Sequence, residues 1–402
     1  MASPNNPSNS TRLNLTLAVP NALPGKQEFA ETVVGHYPVF SAKSWLSLNW
    51  FRVCNQGCGY CYRPGRGSES AHSPEKIYDE KFVADYLMDH PYFVPQYNGK
   101  TSSFPPSVIG LHTSSTEAFA PEVKDSTFRM LQLLDQKGIN NPVAIVTKLF
   151  LKKEEIEYLR QNLHNISLYI MICYSAMPQE IEPMSDPETV ENKARFMQAL
   201  KDSGFTPVHY FRPIAFGWND SPDRIGRALA FGSGSSAIVV GGITLSDDEF
   251  RQLDQLEIPL PGGPPEGWAK YGYRRKWFPK EAEETVIGLK DAAHIDTPLF
   301  RRASCSISYL RGMPDYNGYR FETKDNCTRS CPLVQVARCE SIKPPTPERV
   351  KEALDKMQIS GRSFEITPSG VIVEPEEMQF HILDTFELRH LLGFPVYLKK
   401  VV

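Results

Sequence analysis

The chain has 402 residues, of which 41% are hydrophobic and 23% are charged, and its formal net charge is −3. These values are typical of a globular protein with a large core, and they exclude a strongly basic surface that would attract nucleic acid or anionic membranes as a whole. The sequence has no apolar run of about 18 residues, and its polar beginning lacks the pattern of a secretory signal. We therefore expect a cytoplasmic protein without membrane association.

The first part of the chain is predicted to form one barrel-like domain. Residues 1–40 are rich in proline, asparagine and serine and are expected to be disordered or extended. Six β-rich runs then alternate with helical patterns; the runs cover residues 44–51, 107–112, 143–148, 166–175, 207–214 and 237–243. This alternation predicts parallel strands joined by right-handed crossovers. The expected fold class is α/β, with a partial (β/α)6 TIM-like barrel over residues 41–304.

The helices and the C-terminal elements complete this outline. The helical patterns that follow the strands cover residues 124–138, 152–163, 187–204, 246–257 and 280–294. A last strand is expected at 297–304, and a cysteine-bearing segment follows at 305–344. Residues 345–402 contain a helical pattern, a hairpin and the segment FELRHLLGFPV. They predict a small α+β module at the end of the chain.

Seven of the eight cysteines fall into two groups, which in a cytoplasmic chain indicates metal binding rather than disulfides. The first group, Cys54, Cys58 and Cys61, follows the first predicted strand with the spacing C-x3-C-x2-C. Three close thiolates with no fourth ligand nearby fit an iron–sulfur cluster that keeps one iron open. The alternative is a zinc site whose remaining ligand comes from elsewhere in the chain.

The segment CNQGCGYCY (54–62) resembles the signature of the radical S-adenosylmethionine (SAM) enzymes, including the aromatic Tyr60 before the last cysteine. The resemblance implies a [4Fe-4S] cluster whose open iron binds SAM, and a 5′-deoxyadenosyl radical that takes hydrogen from a substrate. Four later motifs resemble the spore photoproduct lyase-like branch of that family: HTSSTEAFAPE (112–122), TK (147–148), YSAMPQEIEP (174–183) and RPI (212–214). The second cysteine group sets this chain apart from spore photoproduct lyase itself.

This resemblance implies that SAM is bound by loops at the ends of the strands. Lys148 and Ser175 would hold its carboxylate and ribose, and the segment from Ser115 would face its amino group. The full set of implied cofactor contacts is Tyr60, Ser115, Thr116, Glu117, Lys148, Ser175, Arg212 and Gly242. The alternatives are structural: a solvated strand end for Lys148, a salt bridge for Arg212, and a turn at VVGGI (239–243). The branch pattern also places Arg195 on the inner face of its helix.

Two further residues are candidates for the radical chemistry. Tyr62 directly follows the last cysteine, and its phenol could relay a hydrogen atom; the alternative is an aromatic ring that packs against the cluster. Cys173 should share a strand face with Ser175, one layer deeper, because side chains alternate along a strand. Its thiol could donate hydrogen to a product radical, or it could be an inert core cysteine.

The second cysteine group is predicted to be a fully ligated metal site. Four thiolates without an open position fit a second [4Fe-4S] cluster, with zinc as the alternative. The spacing between them is 21, 3 and 7 residues, and the ligands would be Cys305, Cys327, Cys331 and Cys339. Cys305 is expected at the end of the last strand, near the open side of the barrel.

Three functions are compatible with these features. The first is a radical SAM enzyme acting on a small metabolite or natural-product intermediate, supplied with electrons by a donor such as flavodoxin or ferredoxin. The second is a radical SAM enzyme acting on nucleic acid or a nucleotide, because KYGYRRKWFPK (270–280) interleaves cations with aromatic residues. The third is a non-catalytic binding module stabilised by metal. Polar residues at the strand ends favour an enzyme.

Overall fold

The structure is a computed structural model that describes residues 37–61, 73–98, 102–113, 115–246, 269–271, 274–277, 280–322, 327–359, 362–374 and 382–399. The predictions for residues 1–36, for Tyr62 and for a helix at 247–257 lie outside these ranges. Among the helices of the described ranges, none is long and apolar enough to cross a bilayer.

A curled ten-stranded sheet forms the half-barrel at the centre of the protein, and it confirms the α/β fold class. Its strands are β1 (Val39–Ala42), β2 (Trp45–Leu48), β5 (Ile109–Leu111), β6 (Pro142–Thr147), β7 (Ser167–Cys173), β8 (Thr206–Ile214), β9 (Ile238–Ser246), β10 (Ala269–Tyr271), β11 (Arg274–Trp277) and β12 (Leu299–Phe300). Six strands of this sheet pair in parallel and in chain order: β2, β5, β6, β7, β8 and β9. Two short strands, β3 (Phe51–Arg52) and β4 (Glu75–Lys76), form a separate pair.

Helices cover the convex face of this sheet. They are α1 (Glu80–Met88), α2 (Lys124–Gln136), α3 (Lys153–Asn162), α4 (Pro187–Asp202), α5 (Pro222–Gly232) and α6 (Lys280–Ala292). Ile170 and Ile172 of β7 belong to the same apolar cluster as Leu131 of α2, Ile156 of α3 and Leu200 of α4. Burial of this face is the main source of the domain's stability, since each large apolar side chain contributes about 1.5–3 kcal/mol.

The alternate residues of the strands line the concave face. Tyr169 and Met171 of β7 pack with Val208 of β8 and Val239 of β9, in a second apolar cluster that also contains Trp45 at the start of β2. The two-residue period of a strand accounts for this division, because neighbouring side chains point to opposite faces. The barrel interior near the beginnings of the strands is therefore filled with side chains.

The C-terminal part of the chain packs onto this barrel. It contains α7 (Ala303–Leu310), α8 (Tyr319–Glu322), α9 (Leu333–Glu340), α10 (Pro347–Lys356), α11 (Ile382–Leu392) and a three-stranded sheet of β13 (Phe364–Thr367), β14 (Gly370–Val373) and β15 (Val396–Leu398). Leu354, Val371 and Leu391 share the apolar cluster of the convex face with Val39 of β1. The described helices and strands from α10 onward thus extend the main core rather than forming a second one.

The expected strand at residues 297–304 is wrong in its second half, and with it the position of Cys305. Strand β12 pairs only with the first half of β9, at Ile238 and Val239, because β11 occupies the second half of β9 from Ile243 to Ser246. With no partner beyond Phe300, the chain leaves the sheet and starts α7. Cys305 therefore lies in the first turn of a helix.

Candidate functional site

The three cysteines of the first group lie in a loop that follows β2 and β3. Two left-handed residues shape this loop, Val53 with a φ of 67° and Gly57 with a φ of 66°. Glycine adopts this conformation without steric cost, whereas for valine it is strained, so the loop is held by contacts outside it. Cys58 is buried, and Cys54 and Cys61 are partly exposed.

This cysteine loop rests on the segments that follow β7 and β8. The Gly59 N–H donates to the Ile181 carbonyl at 2.6 Å, and Cys58 packs in an apolar cluster with Met177 and Trp218. Since all these segments follow the carboxyl ends of parallel strands, the loop lies across the same edge of the sheet. Catalytic sites of barrel enzymes are found at this edge.

A buried group of charged residues lies beneath the loop. Lys148, at the end of β6, places its Nζ 2.9 Å from Glu182 Oε2, and the Glu182 side chain is fully buried. The Tyr60 hydroxyl donates a hydrogen bond to the same carboxylate and accepts one from Lys148 Nζ at 2.5 Å. Tyr60 is thereby fastened to the ends of two neighbouring strands.

The charges in this group set one another's pKa values. Burial alone would raise the pKa of Glu182, but the charges of Lys148 and Lys193 outweigh it and lower that pKa. Burial alone would lower the pKa of Lys148, yet Glu182 holds it above its usual value. Burial and the nearby carboxylate raise the pKa of Tyr60. At neutral pH the group is a charged Lys148–Glu182 pair with a neutral phenol.

Glu117 supports the loop that carries Lys148. Its carboxylate accepts hydrogen bonds from the Thr147 hydroxyl at 2.5 Å, from the Lys148 backbone N–H at 3.0 Å and from the Phe119 backbone N–H at 3.4 Å. Burial raises the pKa of Glu117 against the effect of these bonds. The carboxylate thus orders the turn after β6.

Two buried hydroxyls at this edge have no hydrogen-bond partner within the described part of the chain. They are Ser175 Oγ, directly after β7, and Thr116 Oγ1, next to Glu117. Ser115, by contrast, bonds to His112 Nδ1 at 3.0 Å. A buried hydroxyl without a partner costs about 1–3 kcal/mol, so such groups point to a ligand that is still to bind.

Arg212 and the glycines of β9 lie at the next strand end. The Arg212 guanidinium donates to the Tyr210 hydroxyl at 3.2 Å. A Cβ atom at Gly241 would stand only 2.5 Å from Arg212 Nε, so the arginine side chain crosses the sheet at this glycine. The predicted contact Gly242 is its buried neighbour in β9. The absence of a side chain at Gly241 therefore leaves room for the side chain of Arg212.

Cys173 is the last residue of β7 and is buried. Burial raises the pKa of its thiol to about 12, against the opposing charge of Lys148. The strand alternation places it on the concave face with Met171. Its thiol is therefore protonated at neutral pH and lies below the buried charged group.

Three residues of the site were not predicted from the sequence: Glu182, Lys193 and Asn219. Asn219 Nδ2 donates to the Ser175 carbonyl at 2.6 Å and to the Pro213 carbonyl at 2.9 Å, and so joins the ends of β7 and β8. Glu182 stood in the quoted segment YSAMPQEIEP, but no partner was expected for it. Its partner follows from the structure alone.

The buried position of Lys193 could have been predicted from the apolar spacing along α4. The expectation that Arg195 lies on the inner face of this helix is wrong. Lys193 is fully buried and shares the inner face of α4 with Phe196, Met197 and Leu200, a spacing of three, four and seven residues. Its Nζ donates to the Met184 carbonyl at 2.8 Å. Arg195 falls off this stripe, and its exposed side chain pairs with Glu191 at the surface.

The first cysteine group fits the chemistry of an iron–sulfur cluster. In the parts of the chain that the structure describes, no three cysteine, histidine, aspartate or glutamate side chains stand close enough to share one metal ion. Burial raises the pKa of Cys58 to about 12, against the charge of Lys148. Three thiolates are the protein ligands of a [4Fe-4S] cluster with one open iron, so Cys54, Cys58 and Cys61 could hold one.

Comparison with known proteins gives likenesses in structure only. No protein-family model matches the sequence, and no curated protein matches it. A mutant of spore photoproduct lyase with dinucleoside spore photoproduct is 12% identical, covering 64% of this chain and 77% of that chain, with a TM-score of 0.45. A second mutant, with bound AdoMet and dinucleoside spore photoproduct, is also 12% identical, covering 63% and 75%, with a TM-score of 0.45. The fold assignment follows from the strand order of this chain itself.

Proposed function

We propose that this protein is a radical SAM enzyme. Cys54, Cys58 and Cys61 would hold a [4Fe-4S] cluster, and SAM would bind at the carboxyl edge of the half-barrel. When bound, the cluster and SAM together supply a 5′-deoxyadenosyl radical that takes hydrogen from a substrate. The protein's own part is to position both groups and to keep water away from them.

One observation carries the proposal: the cysteine loop lies beside two buried hydroxyls that have no partner among the described residues. Ser175 is two residues from Met177, which packs against Cys58, and Thr116 is next to Glu117, which bonds to Lys148. A ligand with hydroxyl, amino and carboxylate groups would satisfy both hydroxyls. SAM is such a ligand.

The neighbouring residues would orient that ligand. Ser175 would bond to the ribose and Lys148 would attract the carboxylate, while Glu182 keeps the lysine charged and in place. The segment of Ser115 and Thr116 would face the amino group. Arg212 and the β9 backbone at Gly242 would border the adenosine.

For the substrate, we propose a small metabolite or natural-product intermediate. The site lies on a curled sheet whose concave face is filled below it by apolar side chains. Its buried hydroxyls and its protonated Cys173 thiol suit a compact, enclosed ligand. An external one-electron donor of the flavodoxin or ferredoxin type would reduce the cluster.

The alternatives make different predictions. Six residues of KYGYRRKWFPK lie in β10 (up to Tyr271) and β11 (Arg274–Trp277), an antiparallel pair that extends the sheet beyond β9. For an enzyme acting on nucleic acid, this pair of strands would bind phosphates, and retention on single-stranded DNA or RNA would fall steeply with salt. For a metal-stabilised binding module, the reduced protein would leave SAM intact.

The decisive experiment combines metal counting with an assay for SAM cleavage. Under anaerobic conditions, the wild type should hold about eight irons, and the Cys54→Ala/Cys58→Ala/Cys61→Ala variant about four. Reduced wild-type protein should release 5′-deoxyadenosine from SAM, and the triple variant should release none. Cys173→Ala is the control, because it removes a buried cysteine outside both groups and should keep the full iron content. Intact SAM with a filled first site would overturn the proposal.

A further inference from the structure

Three consecutive backbone carbonyls after β7 are each held by a side chain from a later part of the chain. These carbonyls belong to Tyr174, Ser175 and Ala176. Their donors, in the same order, are His209 Nε2 at 2.7 Å, Asn219 Nδ2 at 2.6 Å and Arg224 Nη1 at 2.8 Å. His209 lies in β8, Asn219 in the turn after β8 and Arg224 in the first turn of α5. The bonds therefore join the end of β7 to the next strand and to the helix that follows it.

The amide of Asn219 is hydrogen-bonded through both its nitrogen and its oxygen. The side chain is fully buried, and its Nδ2 also donates to the Pro213 carbonyl at 2.9 Å. Its Oδ1 accepts from the Ala215 backbone N–H at 2.8 Å. Only this orientation of the amide makes all three bonds, because a carbonyl oxygen accepts and cannot donate. The side chain of Asn219 is thus fixed in one position.

The turn that carries Asn219 also contacts the cysteine loop. Ala215 and Trp218 of this turn pack in one apolar cluster with Cys58. Ala215 is also the residue whose backbone N–H bonds to the Asn219 amide. The carbonyl of Ser175 and the cysteine loop are therefore attached to the same turn, and Asn219 is the link between them.

The backbone after β7 has a conformation that depends on such support. Ala176 has a φ of 52°, in the left-handed region that alanine avoids because of its Cβ atom. Conformations of this kind persist where the surrounding structure determines them. Arg224 bonds to the carbonyl of Ala176 itself, and Asn219 bonds to the carbonyl before it. The position of Ser175 is thus set by side chains that lie far along the chain.

The group that this arrangement presents to a ligand is the Ser175 hydroxyl. It is buried and has no hydrogen-bond partner within the described part of the chain. The bonds from Asn219 and Arg224 engage backbone carbonyls only, so they fix the residue and leave its hydroxyl available. A hydroxyl on a backbone that is already held loses little freedom when a ligand binds, and this favours affinity.

We propose that Asn219 and Arg224 are positioning residues that hold the Ser175 hydroxyl in place for the ribose of SAM, beside the cysteine loop. Both side chains act through the backbone of residues 175 and 176 rather than by contact with SAM. The inference rests on the proposed function, because it assigns how that same site is held in shape. It adds two residues to the site that no motif in the sequence indicated.

Asn141 offers a matched control at the other end of the sheet. It is also fully buried, and its Nδ2 donates to the carbonyls of Val94 and Ser107 at 2.9 Å and 2.8 Å. Its Oδ1 accepts from the Gln96 backbone N–H at 2.8 Å. Asn141 directly precedes β6, whereas the site follows the carboxyl ends of the strands. Asn141→Ala therefore removes the same set of hydrogen bonds at a distance from Ser175.

The test measures SAM binding by isothermal titration, with anaerobically reconstituted full-length proteins of equal iron content. Asn219→Ala should bind SAM about tenfold more weakly than the wild type, and Asn141→Ala should stay within about twofold. In a Ser175→Ala background, Asn219→Ala should weaken binding by no more than about twofold, because the hydroxyl that it positions is gone. Equal losses in the two asparagine variants, or a tenfold loss that persists without the serine, would contradict the inference.

Arg224→Ala decides the question if Asn219→Ala does not fold, because Arg224 is only partly buried. It should weaken SAM binding at least about threefold, and this loss should also disappear in the Ser175→Ala background. Its control is Arg227→Ala in the same helix, because Arg227 pairs with Asp223 through exposed side chains. Wild-type affinity in Arg224→Ala would contradict the inference.

The wild type separates this inference from the proposed function. A wild-type protein that binds no SAM would overturn the proposed function, and the inference with it. A wild type that binds SAM, with unchanged affinity in both Asn219→Ala and Arg224→Ala, would overturn the inference alone.

Discussion

Lys148 Nζ and Glu182 Oε2 are 2.9 Å apart at the end of the barrel where the cysteine loop is bound. Lys148 directly follows β6 and Glu182 follows β7, so the ion pair joins two neighbouring strand ends. Tyr60 bonds to both partners and is the point where the cysteine loop meets them. The position of the loop thus depends on a charged pair that is removed from water, and such a pair is sensitive to the loss of either partner.

The first prediction concerns Glu182→Gln. The amide keeps the shape of the side chain but leaves the buried Lys148 without its counter-ion, which we expect to lower the free energy of unfolding by about 3 kcal/mol or more. The first site should also hold less iron, because the neutral amide oxygen is a weaker acceptor for the Tyr60 hydroxyl than the carboxylate. Urea unfolding and iron counting measure the two effects.

Glu191→Gln is the matched control for this prediction. Glu191 pairs with Arg195 through side chains that are both 66% exposed, and such a pair contributes little to stability. We expect a change within about 0.5 kcal/mol. Equal losses in the two variants would show that burial of the Lys148–Glu182 pair has no energetic consequence.

The second prediction separates ligand binding from stability at Ser175. Its hydroxyl is buried and has no partner within the described residues, so Ser175→Ala removes a group that the free protein does not use. The free energy of unfolding should be unchanged or slightly higher, whereas SAM should bind about tenfold more weakly through the loss of one hydrogen bond. Isothermal titration with SAM and urea unfolding measure the two quantities.

Ser41→Ala controls for the loss of a buried hydroxyl as such. Ser41 Oγ in β1 is also without a partner in the described part of the chain, but it lies on an outer strand away from the cysteine loop. SAM affinity should be unaffected there. If both variants lost affinity equally, Ser175 would have no direct contact with SAM.

The order of the parallel strands could be predicted because β-rich runs and helical patterns alternate along the sequence. All six predicted strands from 44–51 to 237–243 are present, since their β-branched runs stand between helical patterns with clear ends. The short α1 (Glu80–Met88) and β1 were missed. They have no strong periodicity of their own and owe their places to packing against the barrel.

The site was predictable only where a residue type implies its chemistry. The spacing of Cys54, Cys58 and Cys61 identified the loop, but nothing local paired Tyr60 with Glu182, which is 122 residues away. Lys193 was overlooked although it lies on an apolar helix face, because lysines are rarely buried. Long-range partners of this kind follow from the topology rather than from the adjacent sequence.

The third prediction compares two glycines in α5. A Cβ atom at Gly232 would stand 2.4 Å from His209 Nδ1 and 3.0 Å from Ile238 Cδ1, whereas one at Gly226 would meet no atom within 4 Å. Gly232→Ala should therefore cost about 1–3 kcal/mol through overpacking. Gly226→Ala should stabilise the protein by up to about 1 kcal/mol through helix propensity.

Urea unfolding of the two alanine variants, side by side, measures this difference. Both substitutions add one methyl group to the same helix, so only the surroundings differ. The ring of the fully buried His209 cannot move aside easily, because it stacks on Phe211 and its Nε2 donates to the Tyr174 carbonyl at 2.7 Å. Equal stability of the two variants would mean that the helix end shifts freely.

The fourth prediction concerns acid stability and Glu80, the first residue of α1. Burial would raise the pKa of Glu80, but hydrogen bonds from Lys76 and Ser126 outweigh it and lower the pKa from 4.5 to about 2. The folded-state value lies below the unfolded one. The resulting stabilisation is therefore fully present above pH 4.5 and is lost as the pH falls from 4.5 toward 2. At neutral pH it amounts to at most about 3 kcal/mol.

Glu80→Gln removes the titrating group, so the difference in unfolding free energy between wild type and variant should follow that loss. Urea unfolding of both proteins should give a constant difference between about pH 7 and pH 5, and a shrinking one by about pH 3. Glu75→Gln is the control, because Glu75 pairs with Arg52 through side chains that are about half exposed, at 55% and 49%. Its difference from wild type should stay near zero throughout. A Glu80→Gln difference that did not change with pH would assign the effect to the shape of the side chain rather than to its charge.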